Sequence, residues 1–254
     1  MLTKAKIKYI NALSQKKNRT QELVFVAEGI KVLEEILTSD FKVKEVFCTK
    51  EVFNYFSTLI QKETELTEVL ESELEKISFL KTPQKVLALI EQKEANLPFE
   101  NLENKLNLFL DDINDPGNLG TILRIAAWFG IENIICSSDC VDVYNPKVVQ
   151  ASMGAIAGKN ILYVNKLEFF QKVKAQTKLP IFGTFLEGND IYTETLSNEG
   201  IIVLGSEAHG ISSELQAFVT KKLFIPSFAI QQQGVESLNV AIAAAIVCSE
   251  FRRR

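Results

Sequence analysis

From Leu106 onward the sequence repeats one pattern: a short apolar run, a turn, then a stretch with apolar residues at helical spacing. Strand-like runs fall at 106–110, 133–136, 160–164, 180–185, 201–204 and 222–225, and helical periods near 119–129, 146–157, 166–177, 212–219 and 237–251. Runs this uniformly apolar must be buried on both faces, and parallel neighbours need a helical crossover between them. The pattern therefore predicts an α/β fold with a mostly parallel sheet flanked by helices. The first ninety residues also alternate, with strands at 23–27, 43–48 and 86–90 and helices at 28–38 and 51–62. The stretch 63–76, dense in glutamate, reads as a solvated helical face. Glu94-Ala-Asn-Leu-Pro-Phe-Glu100 breaks the rhythm and sets a boundary at about 95–104. A smaller N-terminal α/β domain, 1–100, and a larger domain, 101–254, are expected.

The formal net charge of −4 argues against a generic polyanion binder. Its distribution is uneven: residues 1–20 carry Lys4, Lys6, Lys8, Lys16, Lys17 and Arg19 and no acid. They read either as a basic arm able to grip phosphates or as a solvated terminal segment. The four cysteines form no C-x-x-C pair, and His209 is the single histidine, so no metal site is expected. Reduced thiols and an N-terminus without an apolar leader lead us to expect a cytoplasmic protein. The apolar run Ser237–Ser249 is too short to span a bilayer, so no membrane partner is expected.

No two of the twelve glycines stand two apart, which removes the dinucleotide-binding G-x-G fingerprint; there is no G-K-[ST] and no G-x-S-x-G. Three constellations remain. In Asp115-Pro-Gly-Asn118-Leu-Gly-Thr-Ile-Leu-Arg124, Asn118 is a candidate helix cap and Arg124 is the only charge between Pro116 and Ile131. A lone guanidinium there needs an anion. That is either a structural partner such as Asp111, Asp112 or Glu207, or a substrate phosphate or hydroxyl. In Val203-Leu204-Gly205-Ser206-Glu207-Ala208-His209-Gly210-Ile211 a strand runs into a loop of small residues. Gly205 could admit a ligand to the backbone, or the segment is an ordinary strand-to-helix turn with His209 a turn residue. Finally, Ile225-Pro226 precedes Glu236-Ser237-Leu238-Asn239-Val240, where Ser237 reads as the cap of an apolar helix and Asn239 either fixes a polar ligand or merely opens that helix.

Together, N-L-G-x-x-x-R, L-G-S-E-x-H-G-I, and I-P followed by E-S-L-N-V-A-I-A resemble the SpoU/TrmH family of RNA ribose 2′-O-methyltransferases, of the SPOUT class. Asp142-x-Tyr144-Asn145-Pro146-Lys147-Val148-Val149 and Ala151-Ser152-Met153-Gly154-Ala155 look like the family's linking segment, so the resemblance covers about 105–251. Phe25-Val-Ala-Glu-Gly-Ile30 and Thr82-Pro-Gln-Lys-Val-Leu-Ala88 are similar to the family's substrate-binding domain. Lys85, Ala208 and Gln231-Gln232-Gln233 depart from its usual pattern.

The resemblance implies a trefoil-knotted C-terminal domain and a homodimer with the active site at the interface. It implies S-adenosylmethionine held by Thr184, Leu186, Leu204, Gly205, Ile225, Ile230 and Leu238. Arg124 would be the catalytic group at the ribose hydroxyl, as base or as orienter. Asn118 and Asn239 would position ribose and cofactor, and Glu207 and Ser237 would orient Arg124 and the loop. The substrate would be structured RNA, ribosomal in preference to transfer RNA. A non-catalytic RNA-binding module and a small-molecule α/β enzyme are the other classes to test.

Overall fold

A computed structural model describes residues 1–94, 97–228 and 237–253. They form two compact units: Met1–Glu94 with Asp142–Gly158, and Ala95–Val141 with Lys159–Arg254.

The first unit is a four-stranded sheet of β1 (Val24–Glu28), β2 (Val43–Cys48), β3 (Glu65–Glu68) and β4 (Val86–Glu91), in the order β1-β4-β2-β3. β4 runs antiparallel to both neighbours and β3 parallel to β2. The helices are α1 (Lys4–Ala12), α2 (Lys16–Glu22), α3 (Ile30–Leu37), α4 (Lys50–Leu59) and the short α5 (Glu71–Leu74). Ile10 and Leu13 pack with Val24, Val26, Phe47, Leu87 and Leu89 into one core.

Two expectations are corrected in this unit. The acidic stretch 63–76 is not a solvated helical face. It supplies β3 and α5, and Glu73 is buried, accepting the N–H groups of Leu2 (2.7 Å) and Leu70 (3.0 Å). The basic first twenty residues are not an arm. They fold into two helices, and Arg19 is 1% exposed. Its guanidinium donates to the carbonyls of Leu13 and Ser14 and pairs with Asp142 at 2.5 Å. A buried pair of this kind strands a charge when either partner is lost, at a cost of about 3–5 kcal/mol. Asp142 opens the returning segment 142–158. That segment's helix α7 (Pro146–Ser152) packs on β1, and Tyr144 lies 4.7 Å, centroid to centroid, from Phe25.

The second unit is a six-stranded sheet with every pairing parallel, in the order β10-β8-β9-β5-β6-β7. The strands are β5 (Leu106–Asp111), β6 (Asn133–Ser137), β7 (Asn160–Val164), β8 (Ile181–Asp190), β9 (Gly200–Gly205) and β10 (Lys221–Phe224). Alternation along the central strands splits the core. Phe109, Ile135, Ile201 and Val203 face Phe169, Phe170 and Val173 of α8 (Lys166–Gln176) and Leu215 of α9 (Ser213–Gln216). α6 (Pro116–Trp128) and α10 (Val240–Arg253) pack on each other, and Phe251 of α10 meets Phe182 of β8 at 4.9 Å. A ladder of amides fixes strand register at the other end of the sheet. Asn160 donates to Asn133 (2.9 Å), Asn133 to Asn107 (2.8 Å), and Asn107 to the carbonyl of Gly200 (3.0 Å). Buried amides satisfied in this way fix one alignment of the strands, because a slip would orphan them. No helix of the described residues is long and apolar enough to cross a membrane.

Candidate active site

Because the six strands are parallel, β5, β8, β9 and β10 all end at one edge, the edge where open α/β sheets hold ligands. β5 ends in Asp111, whose carboxylate is buried; it accepts the N–H of Ser212 at 2.7 Å and pairs with Lys166 at 3.3 Å. This carboxylate ties the start of one loop to the end of another. A charge closing an apolar strand was the available signal for it. Cys140 braces the same loop, donating to the carbonyl of Leu110 (3.2 Å) and accepting the N–H of Ile113 (3.3 Å). The neighbouring Cys136 thiol pulls Cys140 down to about 7, helped by Ser137 and the Ile113 amide, with burial opposing.

Asn118 does not cap α6. Asp115 does, accepting the Asn118 N–H at 2.8 Å, with Pro116 at the first helical position. Proline suits that position because its missing N–H would be unpaired there anyway. The Asn118 side chain is thereby freed. β9 ends at Gly205, and Ser206–Gly210 closes into a tight loop through Ser206 N–H to Gly210 O (3.1 Å) and the reverse bond (2.8 Å). Gly205 is also required by the fold itself. A Cβ there would lie 2.1 Å from the Gly210 carbonyl carbon and 2.2 Å from the Ile211 nitrogen. Its missing side chain admits the chain's own backbone. His209 is an exposed turn residue of this loop, its N–H donating to Ser206 Oγ at 3.3 Å.

Asn239 draws the three segments together. Its Nδ2 donates to Asn118 Oδ1 (2.9 Å) and to Glu207 Oε1 (2.5 Å), and Glu207 Oε1 also accepts the Val240 N–H (3.3 Å). The Asn239 Oδ1 accepts the N–H groups of Ala241 (3.0 Å) and Ile242 (3.3 Å), so Asn239, and not Ser237, caps α10. Ser237 is exposed two residues ahead. Beside this knot of side chains lies a cavity of about 210 Å³, between Asp112–Asp115, Asn118 and Ser206–His209.

Arg124 lies on α6 and is exposed. Among the described residues it has no ion pair, so none of Asp111, Asp112 and Glu207 is its structural partner. Glu207 holds Asn239 and the α10 N-terminus instead of orienting Arg124.

Of the residues expected around a cofactor, Leu204 and Gly205 close β9, Ile225 follows β10, and Thr184 and Leu186 lie within β8, the strand between those two. Between Gly183, opposite Lys222, and Asn189, opposite Leu223, residues 184–188 leave the ladder as an excursion. Thr184 Oγ1 anchors it to the carbonyl of Val203 at 3.0 Å. Leu186 is 69% exposed and Leu238 also projects into solvent, whereas the Leu204 side chain is core and offers only backbone. Ile230 lies outside the described residues. Among those described, no three His, Cys, Asp or Glu side chains cluster as a metal site would.

The SpoU rRNA Methylase profile matches residues 105–249, more than half of the chain. The chain belongs to that family. The MRM3-like substrate binding domain matches residues 4–88. Over 97% of this chain and 96% of the relative, the sequence is 27% identical to a 23S rRNA (guanosine(2553)-2′-O)-methyltransferase of Bacillus subtilis. Among solved structures, a protein of Porphyromonas gingivalis assigned to the TrmH family of RNA methyltransferases superposes with a TM-score of 0.90. It is 39% identical, with 100% of this chain and 99% of that chain covered. An AdoMet-bound rRNA methyltransferase from Sinorhizobium meliloti gives 0.87 at 30% identity, over 100% and 96%.

Proposed function

We propose that this SpoU-family chain transfers a methyl group from S-adenosylmethionine to a ribose 2′-hydroxyl of ribosomal RNA. The observation that carries this is the convergence of Asn118, Glu207 and Asn239, from three separated segments, into one hydrogen-bonded cluster at the sheet edge. The rRNA substrates named for the relatives, and the AdoMet bound in one of them, support the reading.

S-adenosylmethionine, when bound by Thr184, Leu186, Leu204, Gly205, Ile225 and Leu238, would supply an electrophilic methyl on a sulfonium. The chain's own work would be to bring the ribose oxygen to that methyl, the hydroxyl proton leaving to solvent as the oxygen–methyl bond forms and the methyl–sulfur bond breaks. Near neutral pH the hydroxyl is a weak nucleophile, so orientation and polarisation decide the rate. Arg124 is exposed and makes no ion pair among the described residues, so its planar fork can engage the ribose hydroxyl and an adjoining phosphate. A guanidinium is a poor base, its pKa above about 12, so we assign it orientation and charge stabilisation. Asn118 is held in place by Asn239, and Glu207 fixes both the Asn239 amide and the start of α10.

Three extensions belong to the same reading. Residues 1–100 are its RNA-binding part, as the match to a substrate-binding domain suggests. The second unit carries the trefoil knot, a path compatible with β10 lying beyond β8 from β9. The protein works in the cytoplasm as a homodimer. The mutually packed α6 and α10 leave Trp128 85% exposed and Ile242 and Leu238 exposed as well, apolar surface that a second copy would cover.

Incubating the full chain with labelled S-adenosylmethionine and ribosomal RNA from cells lacking the gene should place one label on a ribose 2′-oxygen. Label on a base, or none on ribosomal RNA while transfer RNA is labelled, would overturn the assignment. Light scattering at micromolar concentration should give twice the monomer mass; a monomer would remove the dimer from the reading.

A further inference from the structure

The cavity of about 210 Å³ beside the Asn118–Glu207–Asn239 cluster has walls that the methyl transfer itself does not use. Ile113, Ala208 and Val240 give it apolar surface, suited to the faces of a flat ring. No lysine or arginine lines it among the described residues, so nothing there attracts a phosphate. The cavity is also braced. Asp111, at the end of β5, accepts the Ser212 N–H (2.7 Å), and Cys140 accepts that of Ile113 (3.3 Å), so the loops on its two sides are held before any ligand arrives.

Two of the carboxylates on its walls already have work. Asp115 caps α6, and Glu207 Oε1 holds the Asn239 amide and the Val240 N–H. Asp112 remains. Its backbone is unusual, with φ at +60°, a conformation that glycine adopts at less cost than any residue with a side chain. Two bonds hold it there: its N–H donates to Ser137 Oγ (3.0 Å), and Asn114 Nδ2 donates to its Oδ1 (2.6 Å). Asp112 is thereby fixed half-buried in the cavity wall, and its Oδ2 has no hydrogen bond among the described residues. A strained position that keeps its side chain beside an active site points to a use for that side chain.

An ionised carboxylate only accepts hydrogen bonds, and each oxygen has two lone pairs, so Oδ1 can accept a second bond beside that from Asn114. Among the four RNA bases, guanine alone presents two adjacent N–H donors, N1–H and N2–H, spaced to meet both oxygens of one carboxylate. The amino groups of adenine and cytosine stand next to a ring nitrogen that is itself an acceptor. The uracil N3–H stands between two carbonyls. Each of these would set an acceptor against the second oxygen.

We propose that this cavity receives the base of the nucleotide being methylated, and that Asp112 selects guanine by accepting from N1–H and N2–H. An unstacked base turned out of its RNA strand presents that edge to a protein pocket. The proposal rests on the RNA-methyltransferase reading and adds to it the identity of the target base and the residue that reads it.

The test uses the full chain with Asp112→Asn and, separately, Asp112→Gly. Glycine suits the left-handed backbone, so its melting temperature should not fall. The methylated nucleotide is mapped in ribosomal RNA from cells lacking the gene, and should be a guanosine. A transcript of that segment is then made with inosine, which lacks N2–H, at the mapped position. The unaltered protein should lose about tenfold or more in kcat/KM on the inosine transcript. Both variants should lose as much on the guanosine transcript and treat the two transcripts alike, which a merely structural role for Asp112 would not produce. S-adenosylmethionine affinity should be unchanged. A mapped nucleotide other than guanosine would overturn the proposal and leave the enzymatic reading standing. So would variants that discriminate inosine as the unaltered protein does, or an Asp112→Asn variant that loses S-adenosylmethionine instead, which would make the cavity part of the cofactor site. If the unaltered protein methylates no RNA, the enzymatic reading falls and titration with free nucleosides decides the pocket. Preference for guanosine over inosine, erased by Asp112→Asn, would sustain it, and equal binding of the two would end it.

Discussion

Replacing Arg124 with lysine should leave the protein folded and able to bind S-adenosylmethionine, yet lower methyl transfer by about 10²–10⁴. The side chain is exposed and makes no ion pair among the described residues, so neither Arg124→Lys nor Arg124→Ala removes a folded-state interaction. Melting temperatures should therefore stay close to that of the unaltered protein. Lysine keeps the charge but loses the planar fork that can contact a hydroxyl and a phosphate together. The measurement is single-turnover transfer to ribosomal RNA, beside cofactor titration and thermal melting. Near-normal turnover by the lysine variant would mean that charge alone suffices and that the orienting role is wrong.

Gly205→Val should fail in a different way. The added Cβ would overlap the backbone of Gly210 and Ile211 at 2.1–2.3 Å, and backbone cannot step aside as a flexible side chain can. The Ser206–Gly210 loop would have to open, carrying Glu207 away from Asn239 and Val240. Cofactor affinity, melting temperature and methyl transfer should all drop, the last by about 10²-fold or more, as expected when reacting groups are displaced by an ångström. A variant that lost only cofactor affinity, with melting unchanged, would restore the simpler idea that Gly205 makes room for the ligand alone.

Much of this was legible in the sequence because burial leaves a period. The central strands β5, β6 and β9 are buried on both faces, and each observed strand of the second unit overlaps its expected position. The site segments were legible because unusual residues interrupt apolar runs: Arg124 in α6, Glu207 after β9, Asn239 before α10. What was not legible is which of two neighbouring polar residues does which job. Asp115 and Asn118 both suit a helix start, and so do Ser237 and Asn239. Only the completed backbone shows that Asp115 caps and frees Asn118, while Asn239 caps α10 and bridges to Glu207 at the same time. Arg19 escaped for a related reason. Its place among lysines suggested solvent, and nothing local reveals that Asp142, far along the chain, comes to meet it. Glutamate density hid β3 and Glu73 likewise, since composition favours a solvated helix and says nothing of two backbone N–H groups waiting for a carboxylate.

The returning segment 142–158 bears on how such a protein can be cut, copied or recombined. It is encoded between β6 and β7, inside the stretch matched by the methylase profile, yet it packs as part of the first unit. Its Asp142 neutralises Arg19, and its α7 lies on β1. A gene shuffled by a single crossover near residue 100 would keep this segment and discard what it packs against, leaving Asp142 unpaired and the buried faces of Val148 and Val149 bare. The two units are thus not interchangeable cassettes. A lineage that exchanges the first unit must also rewrite some seventeen residues in the middle of the second. Drift in Arg19, Phe25 and Glu35 should accordingly be matched by drift in Asp142, Tyr144 and Gly154.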